Sequence, residues 1–453
     1  MTTPTTSLRR TLGTFRLLVF GLTYLGIGAV FTVYGSGVAA TDGHLPAAYL
    51  VATVAMLFTA HSYGRMAVRY PAAGSAYTYA QQSFGGYAGF LTGWALLLDY
   101  LLLPLINFLL VGIYLHEQFP ALPRDVMMLS ALLVVLGLNV LGLTVAIRLN
   151  LILVGAGALL TVLFVVLSIR YTTTNSGPVN VFGGFVPNGG AGPIFAGASV
   201  LALSFLGFDA VSTLAEEARR PKRDVPRAIV LTVLVGGLFF IAVAWAGSIV
   251  FPDWHAITNL EAAGFSLMGR VGGAALVSAF LVINVVGSVL CGTAAQVSTA
   301  RVLYAMGRDG ILPRPLAYLH PRFRTPVVAA CTVAVVSLVG LLLDLNTAME
   351  IVNFGALAAF SMVNLALLRS FLGDRAARSP RRWITHAVAP GVGFVLTVWL
   401  WTSLSWLTFL VGLCWLTVGA AVLAARTRLF TRRPPMLDLS ETETLETTVP
   451  QQK

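Results

Sequence analysis

Charge is what this 453-residue sequence has least of: Asp, Glu, Lys and Arg together make up 10%, against 57% hydrophobic residues. A soluble domain carries roughly a quarter charged residues, and a soluble chain of this length would divide into about three such domains. There is too little polar surface here to solvate them. That excludes a soluble enzyme, a disordered chain and a nucleic-acid binder. The net charge of +11 does not restore the last of these, because lysine is almost missing: Lys222 and Lys453 are the only two among 29 basic residues. Cysteine is equally scarce. Cys291, Cys331 and Cys414 are too few and too scattered for a disulfide framework or a metal site, and their apolar surroundings predict three buried small hydrophobes. His61 and His116 have no partner at ligand spacing, so no metal site is expected. The sequence has no P-loop, zinc-type histidine pair or Gly-x-Ser-x-Gly elbow. It assigns no cofactor and no catalytic residue.

What is present is a series of long apolar runs. A membrane helix needs about 20 mainly apolar residues. Twelve such runs centre near Tyr24, Val54, Leu98, Val135, Leu159, Phe205, Phe239, Val286, Val335, Phe360, Val395 and Leu413. The first is too long for a signal-peptide core and leads into more membrane rather than a soluble domain. Arginine placement sets the orientation. With the N-terminus in the cytoplasm, the outer segments hold only Arg124, Arg170 and Arg270, and the other 26 basic residues fall inside. The positive excess is therefore a topology signal and a contact with anionic lipid. The Thr/Glu-rich stretch 427–453 has no apolar period and predicts a disordered cytoplasmic tail. Trp94, Trp399, Trp401 and Trp406 near run ends are expected as interfacial anchors. The expectation is an all-α integral protein of the cytoplasmic membrane, with both termini inside.

The first and sixth runs are alike in kind. One reads Leu22-Thr-Tyr-Leu-Gly-Ile-Gly-Ala-Val-Phe31 and the other Ala202-Leu-Ser-Phe-Leu-Gly-Phe-Asp-Ala210. Each carries Gly near its middle, and they lie five runs apart. Close packing through small residues explains either alone. Together they fit a five-plus-five inverted repeat whose first and sixth helices break at mid-bilayer and turn freed backbone groups toward a substrate. Only Asp99 and Asp209 of the 18 acidic residues lie well inside apolar runs. An ionised side chain there costs about 2.5–3.5 kcal/mol on insertion scales, and no Lys or Arg sits deep enough to pair with them. Two readings stay open for each: a neutral carboxyl hydrogen-bonded to a neighbouring helix, or a proton carrier or counter-charge facing a wet cavity. The second is favoured for Asp209, two residues after Gly207. Phe205 and Phe208, which flank Gly207, are candidates for gating or stacking.

Two longer motifs resemble a known family. Ser204-Phe-Leu-Gly-Phe-Asp-Ala210 with Glu216-Glu-Ala-Arg-Arg-Pro-Lys-Arg-Asp-Val-Pro-Arg227, and Ala300-Arg-Val-Leu-Tyr-Ala-Met-Gly-Arg-Asp-Gly-Ile-Leu-Pro313, are similar to signatures of the amino acid–polyamine–organocation (APC) transporters. Leu22-Thr-Tyr24, Thr41-Asp-Gly-His44, Ser62-Tyr-Gly64, Pro71-Ala-Ala-Gly-Ser-Ala-Tyr-Thr-Tyr-Ala80 and Leu98-Asp-Tyr-Leu-Leu-Leu-Pro104, with Ile106-Asn107, resemble the branch of bacterial putrescine importers. The resemblance implies twelve helices in a LeuT-like arrangement: an N-terminal segment 1–14, a first repeat 15–170, a second repeat 191–372, helices 11 and 12 over 384–426, and the tail. It implies alternating access around a site between runs 1, 3, 6, 8 and 10. By position, Gly26, Ile27 and Gly28 would line the first break, and Ser204, Phe205, Gly207 and Phe208 the second. Asp99 would join the substrate site, and Asp209 falls where relatives often hold an acid linked to protons. Two features depart from the pattern. Gly26-Ile-Gly-Ala29 is closer to the Gly-Ser-Gly type of amino-acid carriers, and the fifth run has no Lys.

Energetics separates the two substrate classes. A dication entering down a potential of about 100 mV gains roughly 4.6 kcal/mol, over three decades of accumulation. A zwitterion gains nothing from the potential and needs a coupled ion. The expectation is an importer of a polyamine or an amino acid, proton-linked or potential-driven, with polyamine ahead on resemblance and a proton-coupled amino acid permease or exchanger as the alternative. A channel would show a continuous polar stripe along several runs, where this sequence has isolated acids. A membrane enzyme would show a constellation of His, Asp or Cys at one interface, and none is visible.

Overall fold

The computed structural model describes residues 12–427 apart from 27, 72–74, 142–146, 176–179, 188–189, 309–311, 322, 324, 374–378 and 403. The tail 428–453, most of the N-terminal segment and Ile27 therefore lie outside the described residues. Those described are helical almost throughout, because hydrocarbon forces each backbone N–H and C=O to be paired within its own segment.

In chain order the α-helices are α1 (Thr14–Leu25), α2 (Ala29–Thr32), α3 (Tyr34–Ala40), α4 (Leu45–Arg69), α5 (Ser75–Phe84), α6 (Gly86–Gln118), α7 (Arg124–Val140) and α8 (Ile147–Asn175). They continue with α9 (Gly192–Leu201), α10 (Pro221–Val250), α11 (Ala263–Arg308), α12 (Val327–Ser337), α13 (Leu345–Gly373), α14 (Pro380–Trp383), α15 (Ala389–Trp401) and α16 (Trp406–Arg426). Proline opens several of them, as at Pro46 and Pro221, where a missing N–H costs nothing. Within α11, Gly273 (φ 60°, ψ −157°) breaks the helical path, so this 46-residue segment is two helices meeting at a kink.

Ten helical segments among the described residues are long and apolar enough to cross a bilayer. The two expected runs outside that set are shorter. α7 has 17 residues, about 25 Å at 1.5 Å per residue, and Val327–Leu341 is an apolar segment that tightens from α12 into a 3-10 turn.

The first run stops being helical at Gly26 (φ 72°, ψ 93°) and resumes at α2. The sixth leaves α9 for a 3-10 turn over Ala202–Phe205, extends at Leu206 (φ −57°, ψ 139°) and turns left-handed at Gly207 (φ 99°) before a 3-10 stretch over Phe208–Glu217. Both interruptions use a glycine with positive φ, a conformation that a Cβ disfavours. The lower parts of the two runs are stitched together. Leu12 N–H donates to Glu217 O (3.0 Å), and Arg219 N–H donates to Leu12 O (2.8 Å), in a single parallel bridge.

The core forms where α10 packs on α4, and where α11, α13 and α5 pack around α6. Two expectations are corrected here. Cys331 and Cys414 are exposed, on faces that an apolar solvent can cover, and only Cys291 is half-buried. Trp94 is buried rather than interfacial. It stacks on Trp415 at 5.1 Å, and each indole N–H donates to the other's backbone carbonyl, at 2.9 and 2.7 Å. Trp406, by contrast, is 80% exposed.

Close approach of α13 to α6 depends on Gly355, where a Cβ would sit 2.5 Å from Ala95 O. Gly355→Ala is expected to cost about 1–3 kcal/mol through overpacking. Gly373→Ala, with nothing within 4 Å, should leave thermal unfolding in detergent unchanged.

Candidate functional site

The two interruptions face one cavity of about 180 Å3. Its wall takes Tyr24, Gly26, Gly28 and Thr32 from the first run, Asn107 and Tyr114 from α6, Gly157 and Thr161 from α8, and Ser204 and Leu206 from the sixth run. Asn284, Ser288 and Cys291 come from α11, and Met349 from α13. The wall is mostly aliphatic, as for small-molecule sites generally. Among the described residues lining it, none is Asp, Glu, Lys or Arg.

Several of its polar side chains are held in place. Thr32 and Tyr114 hydroxyls share a hydrogen bond of 2.7 Å. Ser204 Oγ meets Tyr49 Oη at 3.0 Å. Asn107 Nδ2 donates to Leu103 O and Asn284 Nδ2 to Phe280 O, both at 2.9 Å. Each amide is thus anchored through its nitrogen to its own helix, which directs its oxygen elsewhere. Asn284 lies against the first break: a Cβ on Gly28 would be 2.5 Å from Asn284 Oδ1.

Aromatic layers flank the cavity. On one side Phe31 packs on Phe164 (5.5 Å) and Phe280 (5.3 Å), with Tyr114 edge-on to Phe280. On the other, Tyr63 meets Phe208 (5.5 Å), Phe360 (5.7 Å) and Tyr79 (6.0 Å). Tyr24 joins the cavity to this second layer. It lines the cavity and packs against Gly207, leaving no room there for a Cβ.

Behind Tyr24 lie the two buried carboxyls. Asp99 is 5% exposed and Asp209 2%. They are close enough to interact electrostatically with each other and with Tyr24, Tyr63 and Tyr100. Among the described residues, Asp209 Oδ2 and the Tyr63 hydroxyl have no hydrogen-bond partner. The orphaned atoms continue along α5, with Ser75 Oγ, Thr78 Oγ1 and both amide atoms of Gln81. So many unpaired buried polar atoms in one layer is unusual, since each costs about 1–3 kcal/mol where no partner reaches it.

Of the residues singled out in the sequence, Gly26, Gly28 and Ser204 line the cavity, and Ile27 lies outside the described residues. Asp99, Phe205, Gly207, Phe208 and Asp209 do not line it. Phe205 is fully buried against Phe240 (5.2 Å), and Phe208 against Phe360 (5.1 Å). Sequence reasoning missed Tyr24, Asn107, Asn284, Ser288 and Cys291 as lining residues. The available signal was a polar amide inside an apolar run, which a search restricted to charged residues passes over.

A helical membrane protein with two interrupted spans closing on an internal cavity is the architecture of a solute carrier. The family model for amino acid permeases matches residues 17–425, and the chain belongs to that family. It is 34% identical to the low-affinity putrescine importer PlaP of Escherichia coli (strain K12), over 96% of this chain and 98% of that protein. It is 30% identical to the branched-chain amino acid permease BcaP of Bacillus subtilis (strain 168), over 92% of each. It is 29% identical to the methylthioribose transporter of the same organism, over 92% and 93%. The protein is a multi-pass membrane transporter, not an enzyme.

Gly28→Ala tests the cavity wall directly. Its backbone is ordinary right-handed helix (φ −73°), so only the Asn284 amide must move. The expected result is an unchanged thermal midpoint with a KM for uptake raised about tenfold, the equivalent of ~1.4 kcal/mol.

Proposed function

We propose that the protein is a secondary active transporter that imports a polyamine or an amino acid across the cytoplasmic membrane by alternating access, driven by protons or by the membrane potential. In this reading twelve helices, with α7 and Val327–Leu341 as the two short ones, form two inverted repeats over 15–170 and 191–372. Helices 11 and 12 follow over 384–426. Both termini are cytoplasmic, in keeping with the arginine distribution.

The observation that carries the reading is the relation between cavity and carboxyls. Both helix interruptions open into the cavity, and Tyr24, which lines it, is electrostatically coupled to both Asp99 and Asp209. In this reading a substrate carboxylate meets backbone N–H groups at the first break and an ammonium meets carbonyl groups at the second. Gly26, Gly28 and Ser204, which line the cavity, contact substrate in the same reading, and Gly207 with Phe205 and Phe208 forms the layer beneath it; Ile27, expected beside them, lies outside the described residues.

Asp209 is the proton-linked group in this scheme. Its unpartnered Oδ2 is the strongest acceptor in a layer of orphaned hydroxyls and amides that runs toward the arginine-rich end of α4. Those groups find partners when water enters from that side, so the layer supports a pathway that is shut in this conformation. The bridge from Leu12 to the end of the sixth run supports concerted movement of the two half-helices around it.

A putrescine-like substrate would place one ammonium toward Asp99 and Asp209 after Tyr24 swings aside, and the similarity to the putrescine importer PlaP favours it. A second reading has its own support. The absence of charged residues from the described lining, and its aliphatic character, suit a zwitterion with an apolar side chain, as does the similarity to the branched-chain amino acid permease BcaP.

The test is uptake of labelled putrescine and of labelled leucine into proteoliposomes, with a proton gradient or a potential imposed separately. At 100 mV a dication gains about 4.6 kcal/mol and a zwitterion moving with one proton about half that, so potential alone should accumulate putrescine further than leucine, and leucine uptake should also follow a pH gradient imposed at zero potential. Asp209→Asn is expected to lower driven uptake by at least about tenfold, and far more than Asp99→Asn. Near-wild-type uptake in both variants contradicts the assignment.

A further inference from the structure

A second cavity of about 180 Å3 lies at the arginine-rich end of the bundle, between the ends of α4 and α13 and the start of the α15 segment. Its wall includes Arg65, Arg69, Arg382, His386, Ser370 and Phe371. None of them touches the transport cavity.

The hydrogen bonding keeps this pocket positive. Arg65 Nε and Nη2 both donate to His386 Nε2, at 3.2 and 2.8 Å. That nitrogen must therefore accept, so the imidazole is neutral and carries its proton on Nδ1, which meets Thr385 Oγ1 at 2.8 Å. His61 Nε2 likewise donates to Thr385 O at 2.8 Å. Both histidines grip a single π-helical turn, Ile384–Val388, a backbone irregularity that recurs at functional sites. Arg65 thus has its geometry fixed by a neutral acceptor, which cancels none of its charge.

Arg382 repels Arg65 electrostatically, and Arg69 lies over the ring of Tyr70. Among the described residues no carboxylate pairs with any of the three. Three arginines held around one hollow, with no counter-ion among the described residues, suit an anion. Guanidinium forks match phosphate oxygens two at a time, and basic pockets between helices on the cytoplasmic side take lipid head groups. Val68, Leu367 and Phe371 give the same hollow an apolar wall.

We propose that this pocket binds a phosphate group, presented by an anionic lipid headgroup or by a soluble phosphate, and that the bound anion fastens the start of α15 to α4 and α13. The probes are phosphatidylglycerol, phosphatidylcholine and inorganic phosphate. The full-length protein is reconstituted in nanodiscs of each lipid, and retained lipid is read by native mass spectrometry. Thermal unfolding in lipid-free detergent, with and without millimolar inorganic phosphate, forms the second arm.

Preferential retention of phosphatidylglycerol identifies the source as lipid, and a phosphate-dependent rise in Tm identifies it as soluble. Either effect should weaken about fivefold for each arginine removed, in Arg65→Gln and in Arg382→Gln. The Arg382 side chain makes no hydrogen bond among the described residues, so its loss leaves the fold intact even if Arg65→Gln loosens α15. No anion effect in the wild type, or an anion effect that survives both substitutions together, overturns the proposal.

Discussion

A helix that stops in the middle of a bilayer leaves backbone N–H and C=O groups that hydrocarbon cannot solvate. Such a stop persists only where other protein covers it or where it borders an internal cavity. Here there are two stops, at Gly26 and at Leu206-Gly207, and the rest of the molecule is arranged around covering them. Tyr24 packs directly on Gly207, Asn284 packs on Gly28, and two aromatic layers close the space above and below. What remains is a small cavity bounded by loosened backbone on two sides, with fixed amides and hydroxyls on the others.

The division of labour between cavity and carboxyls follows from the same constraint. A charged group in the cavity wall would have to be solvated in every state of the cycle. Asp99 and Asp209 are instead electrostatically coupled to Tyr24 and to each other, and neither is part of the cavity lining. The orphaned groups of α5 extend the polar interior from Asp209 toward the arginine-rich end. Buried polar atoms left without protein partners are expensive, at about 1–3 kcal/mol each.

The fold class was legible because the membrane dictates it: a 57% hydrophobic chain with 10% charge has few alternatives to apolar helices. The two interruptions were legible because glycines at positive φ stood in like positions of two runs five apart. Facing was not legible. A membrane helix is apolar all round, since lipid and protein core look alike to it, so nothing in the sequence said that Cys331 and Cys414 face outward or that Trp94 is sandwiched against Trp415. Length was only partly legible. α7 stops at 17 residues, and the kink at Gly273 lies in a stretch that hydropathy alone reads as continuous. At the site, isolated acids drew attention to Asp99 and Asp209, but their burial behind Tyr24 depends on tertiary packing. Asn107 and Asn284 reach the cavity as single amides in apolar runs, a weaker mark than a charge.

Cys291 offers a native reporter of the central claim, since it lines the cavity between the two breaks while the other two cysteines lie on the outer surface. With Cys331 and Cys414 replaced by serine, the rate at which a membrane-impermeant thiol reagent modifies Cys291 can be followed in proteoliposomes, with and without putrescine or leucine. A cavity built by the two interruptions and entered by substrate predicts modification from the aqueous phase, slowed by whichever solute is carried. A thiol that reacts only after denaturation, or at a rate neither solute alters, would contradict it.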